Sequence, residues 1–213
     1  VGAPLRQDDR LMNTAVVISN GQRHYIHKTF LPNYNESYEK RWFSVEALDA
    51  EPRIFRLPTG VTFGVELGCD LWSVMPPSTI LAASGADIIL NLSASNDLAG
   101  KHKYLHSLIA QQSARIMSGY VYSSCGFGES TQDLVYGGDA IIYENGVLLS
   151  KSERFALDPQ LIIAQIDVER LRNERRTNTT YGRAQGTLMA KAEVIELELD
   201  DNAYSMLQRN FML

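Results

Sequence analysis

Cys69 is the residue best placed to do chemistry. It lies in Gly64-Val65-Glu66-Leu67-Gly68-Cys69-Asp70-Leu71-Trp72, at the end of an apolar alternating run and beside a glycine. A thiol at a strand end is exposed by the turn that follows. A small neighbour lets a carbonyl approach backbone N–H groups, as nucleophilic catalysis requires. The same residue also reads as a buried structural thiol, because cysteine is among the most buried residue types. Lys28, in His27-Lys28-Thr29-Phe30, follows a hairpin strand and precedes a Pro-bearing segment. It reads either as a solvated edge charge or as a cation that favours a nearby thiolate and stabilises an oxyanion.

Two further segments could line a site. Residues 34–43, YNESYEKRWF, combine aromatic and charged side chains, as the wall of a polar small-molecule pocket or as a surface loop with aromatic anchors. Residues 91–101, NLSASNDLAGK, run from a buried strand toward a helix. Free amides and hydroxyls there suit a ligand, or simple helix capping. Weaker signals are set aside. His102 and His106 are four apart on a helix, but no acidic or cysteine ligand is spaced with them, so no metal site is expected. Gly126-Phe127-Gly128-Glu129 lacks the lysine of a phosphate loop. Met206, Leu207, Phe211 and Met212 read as packing.

The elements that must position these residues follow from periodicity. Thr14–Ser19 and Arg23–His27 flank Asn20-Gly21, and Ala140–Glu144 and Val147–Ser150 flank Asn145-Gly146. Asn-Gly between strand-like runs predicts hairpins. Val61, Phe63, Val65 and Leu67 alternate on one strand face. Pro76-Pro77-Ser78 opens a short helix to about Ser84. Residues 87–92, DIILNL, predict a strand buried on both faces. Leu105, Leu108, Ile109, Gln112 and Ile116 predict a helix over 101–118, closed by Gly119. Strands are expected at Tyr120–Ser124, Leu161–Val168 and around Ile195, Leu197 and Leu199, with a charged helix over Asp167–Arg176. Helices interleaved with strands and two hairpins predict a mixed α/β sandwich rather than a doubly wound parallel sheet.

Composition narrows the function classes. The chain has 213 residues, 20 Lys plus Arg and 25 Asp plus Glu, for a formal charge of −5. That balance argues against a nucleic-acid partner. No apolar run approaches the ~20 residues of a membrane helix, so no membrane association is expected. Two cysteines make no disulfide framework and suit a reducing, cytoplasmic setting. The apolar ends, Val1-Gly2-Ala3-Pro4-Leu5 and Phe211-Met212-Leu213, read as cut points in a longer chain.

Several runs occur in order: Lys28 with LPNYNESYEKRWF at 31–43, GVELGCDLW at 64–72, PPS at 76–78, NLSASN at 91–96 with Lys101, GYVYSSCGFGESTQDLV at 119–135, ENG at 144–146 and SERF at 152–155. From residue 1 to about 155 they resemble the glutamine-hydrolysing domain of glutamine-dependent NAD synthetases, of the nitrilase (carbon–nitrogen hydrolase) superfamily. The resemblance implies an α-β-β-α sandwich, here without its N-terminal strand and helix units, so that residues 1–213 are part of one such domain. It implies hydrolysis of the glutamine side-chain amide by a Cys–Glu–Lys triad. Ammonia would pass to a separate synthetase domain that uses ATP and Mg to amidate nicotinic acid adenine dinucleotide; the hydrolase domain itself takes no cofactor. Lys28 matches the lysine that stabilises the tetrahedral intermediate, and Tyr34 and Glu39 match residues shaping the glutamine pocket. Glu39 also matches the second glutamate of the superfamily. Trp72 matches an aromatic pocket position, while Ser95 and Lys101 match contacts to the amino-acid end of glutamine.

Two departures stand out. The general-base glutamate of the family falls ahead of residue 1, so this stretch alone is expected to be inactive as a glutaminase. The nucleophile motif Glu-Ile-Cys-Glu-Asp-Leu-Trp is Glu66-Leu67-Gly68-Cys69-Asp70-Leu71-Trp72 here, which puts Gly68 at the nucleophile position and Cys69 one place later. Strand alternation then predicts a thiol turned to the opposite face unless a bulge returns it. The alternative is a non-catalytic docking module that lost its nucleophile; another nitrilase-type amidase is a third reading. Exposed sheet edges predict association, and a homo-oligomer is expected. A sharply monomeric species in light scattering would contradict that.

Overall fold

A computed structural model describes residues 1–45, 51–188 and 192–198. Three short antiparallel strands come first: β1 (Gly2–Gln7), β2 (Arg10–Ser19) and β3 (Gln22–His27), in that order across a sheet. The β2–β3 turn places Asn20 and Gly21 at φ +44° and +75°, as its hairpin requires. A second sheet of seven strands has the order β10-β4-β5-β6-β7-β8-β9. Its members are β4 (Arg53–Arg56), β5 (Thr62–Leu67), β6 (Ile88–Ser93), β7 (Gly119–Ser124), β8 (Ala140–Glu144), β9 (Val147–Lys151) and β10 (Glu193–Glu196). Strands β5, β6 and β7 are parallel neighbours at its centre, flanked by antiparallel pairs, and β10 runs parallel to β4 at one edge.

The alternation along β5 sorts two cores. Phe63, Val65 and Leu67 point toward the small sheet and meet Ala15, Val17 and Ile26. Gly64 and Glu66 point the other way, toward helices α1 (Pro77–Ala83) and α2 (Lys101–Ile116). There Leu81, Leu105, Ile109 and Ile116 pack on Ile89, Tyr120 and Ile141. A Cβ at Gly64 would lie 3.0 Å from Leu81, so glycine lets α1 sit close on the sheet. Helices α3 (Val168–Thr177) and α4 (Thr179–Leu188) follow. Arg172 of α3 ion-pairs with buried Asp87, 2.7 Å away, ahead of β6. The layers are therefore helix, sheet, sheet, as expected. No helix among the described residues covers the outer face of the small sheet, where Ile18 is exposed.

Three local expectations need correction or completion. Leu161–Val168 is not a strand: residues 161–167 join no sheet, and Leu161 and Ile163 stand exposed. Gly119 does not close α2. Met117 takes the left-handed turn at φ +47°, and Gly119 opens β7 because a Cβ there would lie 2.7 Å from Ile166. The strand expected around Ile195 is β10, ending at Glu196; Leu199 and the four apolar residues at 206, 207, 211 and 212 lie outside the described residues.

Candidate active site

Strand β5 ends at Leu67, and the chain enters a 3-10 turn, Gly68–Trp72. Gly68 begins it at φ +49°, a left-handed conformation that costs an L-residue ~1–2 kcal/mol. A Cβ at this position would meet only ordinary contacts, with Ser93 Oγ 3.6 Å away. Gly68→Ala is therefore expected to lose ~1 kcal/mol through backbone strain alone, measured by chemical denaturation.

The turn decides where the thiol goes. Cys69 Sγ reaches the Phe30 carbonyl, 3.6 Å away, and lies close enough to feel the Lys28 charge. The thiol keeps the face that alternation gives it, opposite to a side chain at Gly68, which would lie near Ser93. The apolar face of β5 looks onto the small sheet, and it is the end of β3 that delivers Lys28 to the same side. Lys28 is buried, 6% exposed, and its Nζ lies 2.5 Å from Glu39 Oε1. Glu39 is held in turn by Asn13 Nδ2, 3.3 Å from Oε2. Lys28, Glu39 and Cys69 thus converge from the β3 end, the 39–41 turn and the β5 end.

The electrostatics define the resting charges. Burial works against the Lys28 charge, but Glu39 and Cys69 outweigh it and hold its pKa above the ordinary value. It stays an ammonium. Burial pushes the Cys69 thiol up, Lys28 pulls it down by charge and hydrogen bond, and Glu39 and Asp70 push it up again. The net is upward, so the thiol needs a base to take its proton before attack.

A cavity of about 360 Å³ opens beside Cys69, lined also by Tyr34, Lys40, Trp72 and Pro32. That lies within the range of small-molecule clefts, ~300–1,000 Å³. Trp72 stacks on Tyr104 and carries the Lys101 ammonium 5.6 Å from its ring centroid. Lys101 donates to Asn96 Oδ1, 2.7 Å away, and Asn96 donates to Glu36 Oε1 at 2.6 Å. Burial lowers the Lys101 pKa, with Glu36, Asp97 and Cys69 opposing. Ser95 donates its N–H to Ser124 Oγ, 3.2 Å away, at the end of β6 rather than beside Lys28. Of the sequence candidates, Lys28 and Glu39 meet directly, Cys69 feels both charges, Tyr34 and Trp72 wall the cavity with Cys69, and Lys101 caps Trp72.

Sequence reasoning passed over two buried carboxylates behind the turn. Glu66, 1% exposed, accepts from Ser78 N–H at 2.8 Å, Asn91 Nδ2 at 3.3 Å and the Tyr120 hydroxyl. Asn91 also donates to the Gly68 carbonyl, 3.3 Å away, tying this network to the turn. Burial raises the Glu66 pKa against those donors. Asp70 is buried likewise, and burial raises its pKa to about 6 despite N–H donors from Phe30 and Thr29. The folded protein then holds this proton more tightly than the unfolded chain does. Asp70's contribution to stability is full below pH ~4 and falls by roughly 2–3 kcal/mol as the pH rises to about 6. Denaturation at pH 4 and pH 7 is expected to show the stability of wild type relative to Asp70→Asn falling over that interval. The motif position beside Cys69 was the one signal that could have pointed to Asp70.

Among the described residues no group of three or more His, Cys, Asp or Glu could hold a metal. His102 and His106 pack edge to face, 4.6 Å between rings, with Asp139 3.3 Å from His102 and Tyr143 2.9 Å from His106. Both cysteines are free.

A two-sheet sandwich with a thiol, an ammonium and a carboxylate at the strand ends defines a class, and family comparison agrees. Residues 1–176 match the carbon-nitrogen hydrolase family, and the chain belongs to it. Among its relatives, a protein of Mycobacterium tuberculosis named glutamine-dependent NAD(+) synthetase is 38% identical over 199 residues, covering 85% of this chain and 29% of that protein. The chain thus spans less than a third of the length of that relative. A solved glutamine-dependent NAD+ synthetase from Acinetobacter baumannii is 25% identical with a TM-score of 0.67, over 74% of this chain and 29% of that one. A carbon-nitrogen hydrolase from Helicobacter pylori shares the fold, with a TM-score of 0.70 at 19% identity over 84% of this chain and 64% of that one. No helix among the described residues is long and apolar enough to cross a membrane.

Proposed function

We propose that this chain is part of the glutamine-hydrolysing domain of a glutamine-dependent NAD(+) synthetase, with Cys69 as its nucleophile. The observation that carries the reading is the Cys69 thiol lining a ligand-sized cavity while it lies within charge range of the Lys28–Glu39 pair. A carboxylate ahead of residue 1 takes the thiol proton. The sulfur attacks the side-chain amide carbon of glutamine, and Lys28 stabilises the oxyanion that forms. The carbon–nitrogen bond breaks, the proton returns to the leaving nitrogen, and ammonia departs from a thioester that water hydrolyses to glutamate. Glu39 keeps Lys28 charged and in place. Tyr34 and Trp72 wall the glutamine pocket, and Lys101 with Ser95 binds the amino-acid end.

Ammonia passes to a synthetase domain of the same parent protein, where ATP and Mg serve the amidation; this domain needs no cofactor or metal of its own. Glutamine and that domain are its partners, nucleic acid and membrane are not, and the parent is a homo-oligomer. Free Cys69 and Cys125 suit a cytoplasmic protein. The test is ammonia release by the parent given glutamine alone, expected to proceed at a measurable rate. Gly68 at the nucleophile position of the family motif favours a second reading, a docking module without chemistry. Glutamine binding with no ammonia release, beside intact ammonia-driven amidation, would select it, as would release gained by Gly68→Cys.

A further inference from the structure

One buried group behind the site is not used by the proposed chemistry. Asp70 is 1% exposed, and its carboxylate accepts three backbone N–H groups: Phe30 at 2.8 Å on one oxygen, Thr29 at 3.2 Å and Leu67 at 3.4 Å on the other. Two of these donors follow Lys28 directly, and the third precedes the Gly68 turn. One side chain therefore joins segments about 40 positions apart, the two that carry the ammonium and the thiol. The Lys28 ammonium is also held by Glu39. Lys28 N–H donates to the Asn13 carbonyl at 2.8 Å, and the thiol itself touches the Phe30 carbonyl. Taking a carboxylate out of water is costly, and an asparagine or an apolar residue would fill the space at less expense.

We propose that Asp70 is a positioning residue: its carboxylate clamps the Lys28–Phe30 segment onto the Cys69 turn and so sets the approach of Lys28 to the thiol. The proposal deepens the reading that Lys28 and Cys69 act together and rests on it.

A thiol titration tests it without needing turnover. The charged groups that Cys69 senses are Lys28, Glu39, Asp70 and Lys101. Lys28 pulls its pKa down more strongly than Asp70 pushes it up. A bystander Asp70 and a clamping Asp70 therefore predict opposite signs. If Asp70 acts only as a nearby negative charge, Asp70→Asn lowers the thiol pKa. If it clamps, the amide, presenting an N–H where an acceptor stood, releases the Lys28 segment and the thiol pKa rises.

Cys125 is the other cysteine of residues 1–213, so in the parent protein peptide mass spectrometry is used to follow Cys69 alone. Its iodoacetamide alkylation rate across pH 7–10 gives the pKa. Asp70→Asn is expected to raise it by about half a unit, a roughly three-fold loss of alkylation rate near pH 7.5. Phe30→Pro removes the shortest of the three donors while leaving the carboxylate, and is expected to shift it the same way. In a Lys28→Met background Asp70→Asn should give no rise. An unchanged or lowered thiol pKa in an Asp70→Asn protein that melts cooperatively overturns the proposal; if that variant does not fold, Phe30→Pro decides by the same reading. Should Lys28→Met alone leave the thiol pKa unmoved, the Lys28–Cys69 partnership fails and the clamp with it. A rise in Lys28→Met but not in Asp70→Asn removes the clamp alone.

Discussion

Cys69→Ala is expected to abolish ammonia release from glutamine by the parent protein while leaving ammonia-driven amidation intact. The amide carbon is a poor electrophile, and among the described residues no other thiol lines the cavity that Cys69 shares with Tyr34 and Trp72. Loss of a covalent nucleophile leaves only what binding and the oxyanion donors provide, typically several orders of magnitude less. The substitution removes one half-buried sulfur on a turn, so stability should change little. Unimpaired amidation from free ammonia would show that the fold and its docking are preserved.

Lys28→Met should reduce kcat for the same release by about 10²–10³-fold, the size associated with losing one oxyanion donor. Methionine matches the length of the buried stem and removes the charge. Two effects then act together: the oxyanion loses its cation, and the thiol loses the neighbour that holds its pKa down. The pH profile should therefore move upward as well as fall. Glutamine KM is expected to change less than kcat, because the lysine acts on charge that develops during attack. The Glu39 carboxylate left beside a vacated cation carries a stability cost, visible as a lowered Tm.

Much of the frame was legible in the residue pattern, and the failures have physical causes. Both Asn-Gly hairpins and the buried run DIILNL form as expected, because turn chemistry and strand burial are local. β4 was not visible: Arg53–Arg56 is four residues with arginine at both ends. Its strand character comes from pairing on both sides, antiparallel to β5 and parallel to β10, about 140 positions away, where Arg53–Glu193 and Arg56–Glu196 ion pairs join the two. Leu161–Val168 has strand-like composition but no partner edge, so its apolar residues remain outside any ladder. What the Cys69 thiol would meet was hidden for a similar reason. Alternation tells which residues of β5 share a face, but not that this face looks onto the sheet that ends at Lys28. The roles of Glu66 and Asp70 were hidden because the N–H groups that meet them come from distant segments.

The account depends on sulfur at position 69 being the atom that attacks. Acid quench of the parent during turnover with glutamine, followed by peptide mass spectrometry, locates the trapped thioester directly. A γ-glutamyl group on the peptide containing Cys69, absent in Cys69→Ala, is the predicted result. Ammonia release with no adduct at Cys69, or with the adduct on another residue, would contradict it.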